Sequence, residues 1–253
     1  MAEDEKTDKK EKKKKKKKEK LQQLAERPSL VLPGPDETAW LTVHGEAVHS
    51  YRHMLSRLNR EGYALPHKLG LLATLRQEGT THTALALATT MAVDLQKSIC
   101  VVELNWHWPG MTKLLPQLES PGLAAVLQDE ATLDDAIVAT GLPNLSLLPA
   151  GELALEKRPI TARSQKLADT ITALSQKFDH LLLDIPAILA TSDAIALATL
   201  SDACAVVIHQ GVTPIGDVKK ALDDVEHIQM LGVIMNQVAI KTPKLFLRMI
   251  PQG

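Results

Sequence analysis

The chain holds 253 residues, 45% of them hydrophobic, with a formal charge of −1, which is enough apolar material for one α/β domain and an appended tail. No apolar run reaches the roughly eighteen residues of a membrane span, and the N-terminus is charged where a signal peptide is apolar, so this reading excludes an integral membrane protein and one secreted by that route. The two cysteines, Cys100 and Cys204, lie inside apolar runs, where buried thiols in a reducing, cytoplasmic compartment are expected and a disulfide framework is not.

The near-neutral total conceals an asymmetry. Residues 1–20 carry eleven lysines against six acids, leaving 18 basic and 24 acidic residues in the rest of the chain. Seven consecutive lysines, Lys12 to Lys18, repel one another and bury nothing, so residues 1–27 are expected to form a disordered tail that ends in a short helix from Leu21 to Arg27. Two readings of the tail stand side by side. One is an electrostatic tether to an anionic membrane surface or to nucleic acid, worth about 1 kcal/mol per lysine close to a charged membrane. The other is a solubilising extension that contacts nothing in particular, or only the acidic body. Pro28, Pro33, Gly34 and Pro35 mark residues 28–44 as a linker.

A helix is expected from Gly45 to Arg60, where Val48, Tyr51, Leu55 and Leu58 recur at helical spacing. From Lys68 onward apolar runs alternate with helical patterns. Strands are predicted near 69–74, 98–104, 145–148, 181–184, 203–209 and 231–236, several of them apolar on both faces as in a covered parallel sheet. Helices are predicted near 81–96, 122–128, 133–140, 161–177, 192–200 and 215–229. The pattern gives residues 45–240 a doubly wound, mostly parallel α/β sheet with helices on both faces, whose ligands bind beyond the carboxyl ends of the strands. Residues 241–253 form a C-terminal extension.

The stretch from Leu69 to Ala88, LGLLATLRQEGTTHTALALA, has the layout of a phosphate-binding loop: an apolar strand, a short polar turn and a helix, converging on free backbone N–H groups and a positive dipole end. Farther on, Glu103 and Asp184 each close an apolar strand, and Asn236 closes the last one. Trp106 and Trp108 flank His107 in one turn, which suits either a partner-docking surface or burial against the domain.

In their order these pieces resemble the MinD/ParA-type branch of P-loop ATPases, and most closely the cytoplasmic domain of the bacterial tyrosine kinases of capsule and exopolysaccharide systems, from about Glu46 to Val238. Arg52 matches the first arginine of that family's oligomer-forming helix, while Met54, Leu55 and Ser56 replace the residues that should follow, so a homo-oligomer through the helix around Arg52 is implied only in part. Gln77-Glu78-Gly79-Thr80-Thr81-His82 aligns with the family's G-E-G-K-T-T. Thr80 replaces the lysine that neutralises phosphate, and Gln77 replaces a glycine that lets the backbone approach it. Without the resemblance, the same turn reads as an ordinary strand-to-helix connection capped by threonine. Glu103 and Asn105 stand at the two aspartates of the family's second acidic motif, and Asp184 stands at the metal-facing aspartate of its Walker B strand. The landmarks Pro121-Gly122-Leu123, Leu133 to Ile137 and Leu147 to Gly151 follow in family order, as do Ser192-Asp193-Ala194 and Gly232 to Val238. The family's C-terminal tyrosine cluster is missing, the only tyrosines being Tyr51 and Tyr63.

The resemblance implies a degenerate nucleotide site made of Gln77, Glu78, Gly79, Thr80, Thr81 and Asn236, with Thr81 and Asp184 as magnesium ligands only if nucleotide binds. ATP or ADP with Mg²⁺ is then expected to bind weakly or not at all. Three functions follow. The first is a catalytically degenerate regulatory or scaffold partner of a polysaccharide-export or polymerase membrane protein, cytoplasmic or peripheral at the inner face of the membrane. The second is an active ATPase or protein-tyrosine kinase using Glu103 and Asp184, with substitute P-loop chemistry or a lysine donated by another subunit. The third is a ParA-like positioning protein that binds nucleic acid through its lysine tail.

Overall fold

The computed structural model describes residues 27–60 and 64–237. The lysine tail, the helix expected at Leu21 to Arg27 apart from Arg27 itself, Tyr63 and the extension 241–253 lie outside the described residues.

Alternation along the strands decides the architecture. In β3 (Lys68–Ala73), Leu69 and Leu71 point to one face of the sheet and Leu72 to the other; in β4 (Ile99–Glu103), Ile99 and Val101 oppose Cys100 and Val102 in the same way. Strands apolar on both sides require cover on both sides, and two hydrophobic cores result, one on each face. A leucine buried this fully stabilises the fold by about 1.5–3 kcal/mol.

The sheet has seven strands in the order β5 (Val138–Ala139), β6 (Leu145–Leu148), β4, β7 (His180–Asp184), β3, β8 (Ala203–His209), β9 (Met230–Asn236). All neighbouring pairs are parallel except β5 with β6. The two edges differ: β5 is two residues long, whereas β9 is seven residues long and leaves Val233 and Met235 exposed.

One face carries α1 (Gly45–Arg60) and α2 (Thr80–Leu95). The predicted bounds of α1 match the structure. Helix α2 is buried from Thr83 to Ala92 almost all round, so its composition is apolar throughout and the hydroxyls of Thr89 and Thr90 bond back to the carbonyls of Leu85 and Ala86. Part of that cover is unexpected. The stretch read as a linker holds an antiparallel hairpin, β1 (Leu30–Pro33) with β2 (Ala39–Val43), which buries Leu32 and Val43 in this core. The prolines mark the hairpin turn: Asp36 accepts the N–H and hydroxyl of Thr38, and Glu37 adopts a left-handed conformation.

Helix α3 (Met111–Leu114) also packs on the first core, through Met111, while on the opposite face lie α4 (Gly122–Leu127), α5 (Leu133–Ala136), α6 (Arg158–Ala162), α7 (Gln165–Lys177), α8 (Asp193–Ala198) and α9 (Ile215–Asp224). The helix expected over 133–140 opens on a capping box between Thr132 and Asp135 but stops at Ala136, because Val138 and Ala139 pair with β6. The one expected over 161–177 divides at Arg163, where Ser164 caps a new helix by accepting the Leu167 N–H. The last ends at Asp224, short of the expected 229.

Candidate functional site

The carboxyl ends of β3, β4, β7, β8 and β9 meet at one edge of the sheet. The turn from β3 to α2 is organised by Glu78, which is buried. One of its carboxylate oxygens accepts the N–H groups of Thr74 and Leu75 at 2.8 and 2.9 Å. The other accepts the hydroxyl of Thr213, which also receives the N–H of His209. Glu78 therefore ties the loop to the turn after β8.

The backbone of this loop keeps the shape of a phosphate cradle. Gln77 has φ 67° and Gly79 has φ 86°, left-handed values one residue apart, an alternation that turns successive N–H groups toward one concavity. Gly79 is the N-cap of α2, and no side chain bonds to the helix start. The expected threonine cap is thus corrected: the hydroxyls of Thr80 and Thr81 leave the helix start bare. Among the described residues, the N–H groups of residues 77–82 have no hydrogen-bond acceptor. At Gly79 a Cβ would lie 2.2 Å from Nδ2 of Asn236, so a side chain there would displace that amide, and the left-handed φ itself calls for glycine. Asn236 donates from Nδ2 to the Glu78 carbonyl at 2.9 Å and accepts the Gln237 N–H on Oδ1, so its amide braces the loop.

Glu103 and Asp184 are paired in register on β4 and β7. Both are buried, and their surroundings differ. Glu103 Oε1 accepts the N–H groups of Gly110 and Met111 at 2.6 and 2.8 Å, and Oε2 accepts that of Ala150 at 3.1 Å. Burial raises its pKa while these three donors oppose the rise. Neither oxygen of Asp184 has a partner. Burial, reinforced by the neighbouring Glu103, pushes its pKa up to about 8, with Thr81 nearby pulling the other way; the Thr81 hydroxyl approaches without completing a hydrogen bond. Asp184 is therefore the member of the pair that keeps its proton at neutral pH. The predicted partners Thr81 and Asp184 are brought together, whereas Glu103 is committed to holding the loops at residues 110 and 150.

The turn after β4 folds mostly inward. Trp106 is buried and donates its indole N–H to the Ala150 carbonyl at 2.9 Å, which removes it from any docking surface. Asn105, at the family's second aspartate position, closes the turn by bonding both the N–H and the carbonyl of Trp108. Trp108 is half-buried, with the Arg76 guanidinium 3.9 Å above its ring and His107 beside it. His107 in turn meets Asp193 at 3.0 Å, and Arg163 meets the other oxygen of the same carboxylate at 2.9 Å. Desolvation works against ionisation of Asp193, but these two partners prevail and hold its pKa below the usual range.

Between the loop and this turn lies a cleft of about 300 Å³ lined by Arg76, Gln77, Thr80, Thr81, Trp108 and Lys113, among others. A groove of similar volume beside Met54 and Val233 is lined mainly by apolar side chains, away from the carboxylates. Sequence reasoning missed Arg76 and Lys113, which no motif marks, and the His107–Asp193–Arg163 network, of which only Ser192-Asp193-Ala194 was noticed as a landmark. Arg52 is engaged within its own chain, in a two-pronged pair with Asp94 of α2 at 2.7 and 2.8 Å.

Comparison with known proteins places this geometry. The sequence model of the family described as "Cellulose biosynthesis protein BcsQ" matches residues 69–231. The chain is similar to the tyrosine-protein kinase ptk of Acinetobacter johnsonii, 23% identical over 198 residues that cover 76% of this chain and 26% of the kinase. It is also similar to the succinoglycan biosynthesis transport protein ExoP of Rhizobium meliloti (strain 1021), 25% identical over 173 residues that cover 67% of this chain and 22% of ExoP. The chain thus spans about a quarter of the length of these two relatives. The crystal structure of the VpsO kinase domain superposes with a TM-score of 0.68 at 22% identity, covering 77% of this chain and 94% of that one. That likeness shows the fold, which is the P-loop ATPase fold of the MinD/ParA type.

Proposed function

Because the chain belongs to the cellulose biosynthesis protein BcsQ family, we propose that it acts in bacterial polysaccharide synthesis or export as a catalytically degenerate regulatory or scaffold partner of a membrane-embedded polymerase or exporter. The observation that carries this reading is the commitment of Glu103. Its three backbone donors, two on Oε1 and one on Oε2, make it a structural carboxylate aimed at the loops at residues 110 and 150. Thr80 adds nothing to replace the phosphate-neutralising lysine, and positioning with electrostatics is nearly all that catalyses phosphoryl transfer.

ATP with Mg²⁺ is the group the family implies. The unpartnered N–H groups of residues 77–82 fit its phosphates, and Asp184 beside Thr81 offers two carboxylate oxygens that have no hydrogen-bond partner. When bound, such a group supplies a scissile phosphoanhydride. This chain's residues would hold it without a second acidic group to activate an acceptor. The names of the relatives, a tyrosine-protein kinase and a succinoglycan biosynthesis transport protein, support a polysaccharide system as the setting.

No helix among the described residues is long and apolar enough to cross a membrane. In this proposal the lysine run Lys12 to Lys18 gathers the protein at an anionic membrane surface. The test is release of phosphate from ATP, and transfer of labelled phosphate to protein, by the full chain in Mg²⁺ and in Mn²⁺. The expected result is neither reaction above background. Turnover that Asp184→Asn abolishes would replace the scaffold reading with the active ATPase or tyrosine kinase.

A further inference from the structure

Two cations stand at the mouth of the cleft where the missing lysine would act. The Arg76 guanidinium carbon lies 3.9 Å over the Trp108 ring, a cation–π contact that occupies the charge without using its N–H donors. Neither those N–H groups nor the Lys113 ammonium has a hydrogen-bond or ion-pair partner among the described residues. Both side chains line the same cleft as Thr80 and Thr81. The acidic member of the lining, Glu78, turns its carboxylate inward to Thr74, Leu75 and Thr213. His82 also lines the cleft. The concavity is therefore a row of unused backbone N–H groups flanked by two cations, of which Lys113 also acts electrostatically on Glu103. Behind it the buried Asp184, whose two oxygens have no partner, lies next to Thr81.

We propose that Arg76 and Lys113 take over the charge-neutralising work of the absent P-loop lysine, so that this cleft holds the phosphate chain of a nucleoside triphosphate without requiring magnesium. The inference deepens the scaffold reading and rests on it: nucleotide is a bound effector here, with no turnover. Metal independence follows from the two cations, which place positive charge beside the concavity where a metal would otherwise supply it. Arg76 and Lys113 belong to separate segments, the first in the loop ahead of α2 and the second in helix α3, so an anion between them also draws the turn after β4 toward the phosphate loop. Because the Asn236 amide is occupied by Glu78 and Gln237, the site reads phosphate more than base.

The experiment is equilibrium titration of the full-length chain with ATP, GTP and inorganic tripolyphosphate, in EDTA and in excess Mg²⁺, followed by tryptophan emission and calorimetry. ATP is expected to change an emission signal that disappears in Trp108→Phe. Magnesium should alter the affinity by less than about threefold, and ATP and GTP should agree within about threefold. Arg76→Gln and Lys113→Gln should each weaken binding by about tenfold or more. Both cations are on exposed side chains, and unaltered thermal unfolding of the variants confirms that they fold. Binding that needs magnesium, unchanged affinity in both cation variants, or no ATP binding would overturn the inference and leave the scaffold reading standing. Tripolyphosphate binding as tightly as ATP would overturn the assignment to nucleotide. Hydrolysis of bound ATP would overturn the scaffold reading while leaving the two cations in their assigned place.

Discussion

Glu103 and Asp184 face each other across adjacent parallel strands, and three backbone donors of the surrounding loops go to the Glu103 carboxylate while that of Asp184 receives none. Two buried carboxyls so close cannot both ionise cheaply, and the unequal supply of donors decides which one carries the charge.

The pH dependence of stability should expose that division. Asp184 titrates near 8 in the folded chain against an ordinary 3.8, so between those values the folded state holds a proton that the unfolded state has lost. Its contribution therefore drains stability as pH rises from about 4 to about 8 and is constant above that range. Asp184→Asn removes the titration. The variant should exceed the wild type by an amount on the order of a few kcal/mol at about pH 9 and by much less at about pH 5, measured by urea unfolding.

Restoring the family's aspartate at position 103 should harm the protein. The shorter side chain of Glu103→Asp cannot reach Gly110, Met111 and Ala150 together, and leaving a buried N–H unpaired costs about 1–3 kcal/mol. Chemical denaturation should show that loss, with no gain in phosphate release.

Gln77 holds a conformation suited to glycine. A left-handed backbone costs a residue with a side chain roughly 1–2 kcal/mol, partly offset by the greater entropy glycine loses on folding. Gln77→Gly should raise stability by up to about 1 kcal/mol, seen as a higher denaturation midpoint with an unchanged slope.

Arg52 and Asp94 join α1 to α2. Their side chains are 40% and 24% exposed, so solvent screens the pair, and a double-mutant cycle with alanine at each position should return a coupling of about 0.5–1 kcal/mol. Since the guanidinium is spent within its own chain, Arg52→Ala should leave the gel-filtration position of the protein unchanged.

Asp193 is buried between Arg163 and His107. Because its pKa is lowered, its stabilisation is complete above the ordinary carboxylate range and vanishes as pH falls through the folded value. Asp193→Asn should cost about 1–3 kcal/mol near pH 7, and the difference from wild type should close in acid.

Much of the scaffold was legible because period-two apolar alternation and buried strands leave a strong mark, and β6 and β8 appear at their expected bounds. The linker was misread because proline and glycine punctuate a hairpin as readily as a tether; only the burial of Leu32 and Val43 separates the two. The division at Arg163 was hidden because Ser164 interrupts a helical pattern without a glycine or proline to announce it. In the site, the positions of Thr81 and Asp184 could be read from motif order, but the role of Glu103 could not. Its fate depends on donors from residues 110, 111 and 150, and no spacing rule along the chain brings those three together.

The unequal edges of the sheet bear on how copies of this domain can meet. The two-residue, antiparallel β5 offers almost no template for an incoming strand, while β9 presents seven residues with Val233 and Met235 exposed and, among the described residues, no strand on its outer side. Pairing through strands would thus have one usable edge per copy. Such an assembly closes on itself at two members about a twofold axis and has no second edge from which to grow into a filament.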